Sequence, residues 1–220
     1  KKKGKIDDTY KFITFGGDGG TYDIGFQSLS GAMERGHDLV YVCYDNGAYM
    51  NTGIQRSSAT PRFADTTTTP VGSQSNGKLQ GRKDLAAIIA AHNVAYVGQT
   101  TFLGNFKDIH TKAESAIYTP GPAFLNIMAP CPRGWRYDAS DIMTICKLAV
   151  ETCYWPLFEV IEGKWILNYE PKKKLPIEDF LRAQGRFKHL FKPGNEHLIE
   201  QFQEEVDRRW EDLQYNCSRG

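Results

Sequence analysis

The residues best placed to do chemistry stand near the start of the chain. Gly16-Gly17-Asp18-Gly19-Gly20 is too rich in glycine for a helix or strand interior, and Asn46 stands 27 residues beyond Gly19. Glycines let a backbone come close to a ligand. Free N–H groups at the start of a following helix suit a phosphate. An acid such as Asp18 fits beside a phosphate only when a hard cation lies between them, and such a cation takes oxygen ligands from protein and phosphate together. Asn46 can supply a second oxygen, and the backbone carbonyl of a residue just beyond it a third.

The elements around these residues give them their positions. Phe12-Ile13-Thr14-Phe15 is the right length for a buried strand. From about Asp23 a helical pattern carries Ile24, Gln27, Leu29 and Met33 roughly on one face, and Gly36 ends it. Leu39 to Cys43 reads as the next strand. Strand, loop, helix and strand make one βαβ unit, whose right-handed crossover puts Asp18 and Asn46 at the carboxyl edge of a parallel sheet. Spacing alone leaves open a generic doubly wound domain with a chance Gly-Asp-Gly.

Gly17-Asp18-Gly19 with Asn46 resembles the thiamine diphosphate motif. Longer blocks narrow the resemblance: Tyr44 to Pro61 (YDNGAYMNTGIQRSSATP), Thr66 to Gly72 (TTTTPVG), Ala129 to Trp135 (APCPRGW) and Gln184 to Leu190 (QGRFKHL). By these blocks, in this order, the chain is identified as a member of the 2-oxoacid:ferredoxin oxidoreductases, as the β subunit of pyruvate synthase or oxalate oxidoreductase type. The resemblance implies an α/β thiamine diphosphate-binding fold, a mostly parallel sheet with helices on both faces, over residues 1–220 as one domain. Residues from about 171 to 220 would form a C-terminal helical extension.

The resemblance also implies a role for this chain. Gly17, Asp18, Gly19, Gly20, Asn46, Ala48 and Asn51 would hold thiamine diphosphate. Asp18, Asn46 and the Ala48 carbonyl would hold its Mg²⁺. Asn51 and Thr52 would approach the reacting end of the cofactor. Cys131 would be the fourth ligand of a [4Fe–4S] cluster whose other three cysteines lie upstream of the Gly-Asp-Gly segment, outside these residues, so its assignment is conditional on them. The activity implied is oxidative decarboxylation of a 2-oxoacid, with electrons passed through iron–sulfur clusters to ferredoxin. Pyruvate with coenzyme A as acyl acceptor, oxalate without it, and aryl glyoxylates are the substrates to weigh. No carboxylate in the motif blocks is an obvious partner for the aminopyrimidine. The resemblance assigns that glutamate to an α subunit, so an obligate hetero-oligomer with α and other subunits is expected. The family commonly has Glu where this chain has Gly47, a departure that changes the charge near the site. Beside this reading stands a non-catalytic phosphate-binding or interaction module on the same scaffold.

Composition bounds the rest. In 220 residues, 40% hydrophobic and 24% charged content is ordinary for a globular chain that buries one substantial core. A net charge of +1 gives no electrostatic case for nucleic acid, and no apolar run nears the length of a membrane span. Lys1 to Lys5 lacks the apolar core of a signal peptide and reads as a solvated leader or a cut point in a longer chain, with a basic targeting arm left open. Five widely spaced cysteines without a CxxC pair argue against a disulfide framework and for a reducing cytoplasm.

Further along, Asn51 to Gly81 is long, rich in Thr, Ser, Gly and Pro, and has no period. Such a loop is expected to be functional, wrapping a cofactor or a neighbouring subunit with Asn51, Thr52, Gln55 and Arg56 as polar candidates. Helices are expected over Lys83–His92, Asn105–Ile117, Ser140–Thr152 (capped by Ser140 or Asp138), Pro176–Gln184 and Asn195–Leu213. Strands are expected over Val94–Val97 and Pro122–Met128, extending the parallel sheet, with a hairpin around Glu162-Gly163 that could reach a partner. His92 and His110 read as structural or surface residues, and Cys146 and Cys153 as core packing. Lys172 to Lys174 reads as a solvated turn rather than a docking site for an acidic electron carrier. Cys217 is expected in a loose tail.

Overall fold

A computed structural model describes residues 3–7 and 10–219, so the first two residues of the leader expected at Lys1 to Lys5 lie outside the described residues. In chain order the elements are β1 (Phe12–Gly17), α1 (Phe26–Glu34), β2 (Leu39–Asp45), β3 (Val71–Gly72), β4 (Ser75–Asn76), α2 (Leu85–Ala90), β5 (Tyr96–Thr100), α3 (Lys107–Tyr118), β6 (Ala123–Met128), α4 (Pro132–Trp135), α5 (Ile142–Glu151), β7 (Phe158–Ile161), β8 (Lys164–Leu167), α6 (Ile177–Arg182) and α7 (Glu196–Ser218).

Six strands form one sheet in the order β1-β2-β6-β5-β7-β8. β1, β2, β6 and β5 run parallel, and β7 and β8 add an antiparallel hairpin beyond β5. The hairpin turns at Glu162 and Gly163, both at positive φ (50° and 83°), as a tight primed turn requires. Its first strand thus completes the sheet, and its second is the edge.

Strand side chains alternate between two faces. Val40, Val42, Tyr96, Ala123 and Leu125 pack with Ala116 of α3 on one face. Cys43, Val97 and Phe124 point the other way, into the larger core with Leu29 and Met33 of α1, Ile89 of α2, Ile145 of α5 and Phe180 of α6. This matches the expected helices on both faces. α7 lays Leu198, Phe202, Val206, Trp210 and Leu213 into that core, each contributing roughly 1.5–3 kcal/mol by burial. The helix runs on to Ser218, so Cys217 lies within it, packed against the core, and not in a loose tail. The extension is held by the apolar stripe together with ties such as Lys174 to Asp207.

The short β3–β4 pair inside the long loop and the single turn α4 are not expected from the sequence, and among the expected elements boundaries shift. β5 begins at Tyr96 and runs to Thr100, two to three residues beyond the expected strand, because Val97 and Gly98 pair with Phe124 and Leu125 of β6. Asp138 does cap the turn before α5, accepting from Ser140 N at 2.9 Å. At the other end of the sheet β1 is an edge strand. Phe12, Ile13 and Phe15 are 54%, 46% and 68% exposed, an apolar edge that a globular chain ordinarily covers. No helix among the described residues is long and apolar enough to cross a membrane.

Candidate functional site

β1 ends in the glycine loop, and two of its glycines are needed for room. A Cβ on Gly16 would lie 2.3 Å from the Tyr41 hydroxyl, and one on Gly19 would lie 2.4 Å from the Tyr49 ring. A Cβ on Gly20, by contrast, would meet nothing within 4 Å, so the backbone there is open to an incoming group. The helix expected from Asp23 is in two parts: a π-helical turn over Gly20–Ile24, then α1. Thr21 Oγ1 donates to the Gly17 carbonyl at 2.7 Å and fixes the start of that turn.

Asp18 is 1% exposed. Parallel pairing of Gly17 with Tyr44 brings it beside the end of β2. There Asn46 Oδ1 lies 2.8 Å from the Ala48 carbonyl oxygen and 2.9 Å from Asp18 Oδ1. Turning the amide over would convert both contacts into hydrogen bonds. The same amide can therefore donate to both groups when no ion is present, or turn its oxygen toward them when a cation lies between. Two adjacent ligands at ~2.05 Å on an octahedral Mg²⁺ are about 2.9 Å apart. Asp18, Asn46 and Ala48 are thus brought together at the end of β2, with the Asn46 amide at about that spacing from each of the other two.

The turn that carries them is held from several directions. Gly47 N donates to Asp45 Oδ1 at 3.0 Å, and Arg82 Nη2 donates to Asp45 Oδ2 at 2.6 Å. Both members of that ion pair are buried. Arg82 also donates to the Tyr22 hydroxyl at 2.6 Å and lies over the Trp155 ring at 4.4 Å. Trp135 Nε1 donates to the Asn46 carbonyl at 2.6 Å, and Ala129 N to the Asp45 carbonyl at 2.8 Å. These bonds fasten the Ala129–Trp135 block to the turn from Asp45 to Ala48.

The long loop supplies the remaining contacts. Ser57 Oγ donates to Asp18 Oδ2 at 2.6 Å, and Thr60 Oγ1 to the Gly47 carbonyl at 2.7 Å. The loop is pinned from inside by Lys78, which is 1% exposed and donates to the carbonyls of Ser58, Thr60 and Gly81. Burial lowers its pKa to about 7. The polar candidates Asn51 and Thr52 sit on the exposed turn from Tyr49 to Gln55, and the Thr52 hydroxyl donates to Gln55 Oε1 at 2.6 Å. They adjoin the Asp45–Ala48 turn in sequence, but among the described residues no hydrogen bond links them to Asp18. Ser57, Asp45, Arg82, Trp135 and Arg186 are contributors that sequence reasoning missed. The quoted blocks hold all of them except Arg82, with nothing in spacing to say what they touch.

Cys131 caps α4, its Sγ accepting from Gly134 N at 3.5 Å, and is partly exposed. Among the described residues no group of three or more His, Cys, Asp or Glu side chains is disposed to hold a metal.

Burial, and then the neighbouring Asp45, raise the Asp18 pKa to about 7, with Ser57, Asn46 and Arg82 opposing. The folded-state value lies above the ordinary carboxylate value. Asp18 therefore lowers the stability of the metal-free fold as pH rises from about 4 to about 7, and the loss is complete above that. A divalent cation needs the ionised form and must displace the proton. Mg²⁺ affinity is accordingly expected to fall about tenfold per pH unit below 7 and to level off above it. Titration with Mg²⁺ or Mn²⁺ between pH 5.5 and 8.5 checks this. A flat profile would refute the raised pKa.

The profile of the family described as "Thiamine pyrophosphate enzyme, C-terminal TPP binding domain" matches residues 4–127. The chain is 51% identical to pyruvate synthase subunit PorB of Thermotoga maritima, over 97% of this chain and 66% of that protein. It is 46% identical to ketoisovalerate oxidoreductase subunit VorB of Pyrococcus horikoshii, over 96% of this chain and 67% of that protein. A solved 2-oxoglutarate:ferredoxin oxidoreductase from Magnetococcus marinus, with 2-oxoglutarate, coenzyme A and succinyl-CoA bound, aligns at a TM-score of 0.49. Its sequence identity is 22%, over 81% of this chain and 66% of that one. The chain spans about two thirds of the length of the curated relatives it matches.

Proposed function

This chain belongs to the thiamine pyrophosphate enzyme family, among the PorB-type subunits of the 2-oxoacid:ferredoxin oxidoreductases, and we propose that it is the part of such an enzyme that holds thiamine diphosphate and Mg²⁺ during oxidative decarboxylation of a 2-oxoacid. The observation that carries the reading is the placing of the Asn46 amide 2.9 Å from Asp18 Oδ1 and 2.8 Å from the Ala48 carbonyl oxygen, at the end of β2. It lies beside a glycine backbone left open at Gly20.

When bound, thiamine diphosphate supplies a carbon nucleophile and a ring that stores the electron pair released with CO₂. This chain's residues bind and orient. Asp18 neutralises part of the cation's charge, with Ser57 holding its second oxygen. Asn46 and Ala48 fix the cation against the end of β2. Anchoring the diphosphate end sets where the reactive end lies, which is the role of a cofactor scaffold. Asn51 and Thr52, on the exposed turn, are free to face that reactive end once a partner subunit covers it. Cys131 would join a [4Fe–4S] cluster with cysteines from outside these residues. The exposed apolar edge of β1 supports assembly with further protein.

The relatives' names cover pyruvate and a branched 2-oxoacid. Pyruvate with coenzyme A is the first reading for substrate. Oxalate is kept beside it because Gly47 leaves the buried Arg186 without an acid opposite it. The test is viologen reduction by the anaerobically purified native complex with pyruvate, ketoisovalerate, oxalate, 2-oxoglutarate and phenylglyoxylate, each with and without coenzyme A. Coenzyme A-dependent reduction with pyruvate is expected. Coenzyme A-independent reduction with oxalate would move the assignment to the second reading. Silence across the panel, with iron and thiamine present, would overturn the oxidoreductase proposal.

A further inference from the structure

Arg186 is 2% exposed, and its surroundings are unusual for a buried cation. Its backbone is fixed between neighbours: Asp65 N donates to the Arg186 carbonyl at 3.1 Å, and Gly185 N to the Arg136 carbonyl at 3.1 Å. The guanidinium lies over the Trp135 ring at 3.8 Å, and Nε donates to Gln184 Oε1 at 2.9 Å. Nη2 is buried with no hydrogen-bond partner. Among the described residues, Arg186 forms no ion pair. Nη1 faces the metal turn, 3.2 Å from where a Cβ on Gly47 would stand.

A buried guanidinium without a carboxylate is costly, and removing one partner of a buried pair is strongly destabilising for the same reason. The cost is met when a ligand's charge lies close by. Arg186 is held against the residue between Asn46 and Ala48, two of the three oxygen donors. With a divalent cation bound there, Asp18 leaves one net positive charge to face the several negative charges of a diphosphate. A fixed cation behind Gly47 adds a second.

We propose that Arg186 is the counter-charge of the diphosphate site, acting across the Gly47 backbone, and that the side chain at position 47 sets how much of that charge the bound anion feels. The proposal rests on the thiamine diphosphate reading above. Burial lowers the Arg186 pKa only to about 10, so it stays protonated at neutral pH. An acidic residue at position 47 would reach Nη1 directly and spend the charge locally. Glycine, here at φ 72°, does not.

The test uses the native complex stripped of cofactor, titrated calorimetrically in Mg²⁺ with two probes, inorganic pyrophosphate and thiamine diphosphate. Arg186→Met and Gly47→Glu are each expected to weaken both probes roughly tenfold, the effect of one unit charge about 10 Å away at an effective dielectric of about 20. Arg186→Lys, which keeps the charge, and Gly47→Ala, which imposes the backbone strain without charge, are expected to bind close to wild type. Arg186→Met could fail to assemble. In that case Gly47→Glu against Gly47→Ala still decides, because both keep the arginine. The proposal is overturned when Arg186→Met binds like wild type, when Arg186→Lys loses as much as Arg186→Met, or when Gly47→Ala loses as much as Gly47→Glu. A wild type that takes pyrophosphate but refuses thiamine diphosphate would overturn the cofactor reading, and the four variants titrated with pyrophosphate would then decide the role of Arg186 by the same criteria. A wild type that takes neither overturns both.

Discussion

Asp18→Ala is expected to abolish Mg²⁺-dependent binding of thiamine diphosphate, a loss of more than about a hundredfold, while leaving the metal-free fold at least as stable as before. The two halves have one cause. Asp18 is 1% exposed, and burial with Asp45 nearby raises its pKa to about 7. Its ionised form therefore opposes folding unless a bound cation compensates the charge. Outer-shell partners of metal sites cost about 10–100-fold when removed, and a direct ligand bearing the only charge in the triad should cost more. Ser57 loses its acceptor in the variant but keeps a hydroxyl neighbour in Thr60, at 3.4 Å, and still accepts from Ala59 N at 3.2 Å. Calorimetric titration of the complex gives the binding loss, and thermal melting at pH 8 gives the stability. Unchanged binding would remove the cation from the account and favour an interaction module that kept the scaffold. A large fall in melting temperature would make Asp18 a structural residue first.

What the sequence disclosed and what it hid follow from the range over which each signal acts. The unit from Phe12 to Asn46 was legible because its signals are local: an apolar run, glycines, a helical period and a second apolar run in the order a crossover needs. That Asp18 and Asn46 would lie together followed, since strand ends in a parallel pair must meet at one edge, while Ala48 came from the resemblance. The groups that hold those ligands were not legible. Arg82, Trp135 and Arg186 reach the turn from positions 37, 89 and 139 residues from Asp45, Asn46 and Gly47, and a tertiary contact leaves no period in the chain. The hairpin around Gly163 was visible in its turn residues, but its antiparallel pairing with β5 was a matter of topology. α7 outran its expected end because Cys217 still packs on the core after Leu213, where a polar run suggested fraying. Asn51 and Thr52 were picked out by the long polar loop and by the resemblance, and in this chain they lie on an exposed turn.

Arg82→Met should be the most destabilising single change at the site, by about 3–5 kcal/mol, because it strips a buried carboxylate of its partner. Asp45 is 2% exposed, and its two oxygens do different jobs: Oδ2 accepts from Arg82, and Oδ1 from the Gly47 amide. With the guanidinium gone, Asp45 must remain buried as an unpaired charge, take up a proton, or rotate toward solvent. Each response disturbs the Gly47 amide and with it the spacing of Asn46 and Ala48. The Tyr22 hydroxyl also loses a donor, and Trp155 loses a cation at 4.4 Å. An exposed pair calibrates the effect. Arg182 and Glu178 lie one helical turn apart with side chains 62% and 44% exposed, and Arg182→Ala should cost less than about 1 kcal/mol. The double variant Arg82→Met with Asp45→Asn separates the two consequences. Asn keeps an oxygen for the Gly47 amide and removes the stranded charge, so much of the lost stability should return. Cofactor affinity should return with it only when the turn alone, and not the charge of the Arg82–Asp45 pair, governs binding. Thermal melting and Mg²⁺-dependent thiamine diphosphate titration, run side by side on the three proteins, read both. A single variant that melts like wild type would show that Asp45 never depended on Arg82, and the metal turn would then owe its shape to Trp135 and Thr60 instead.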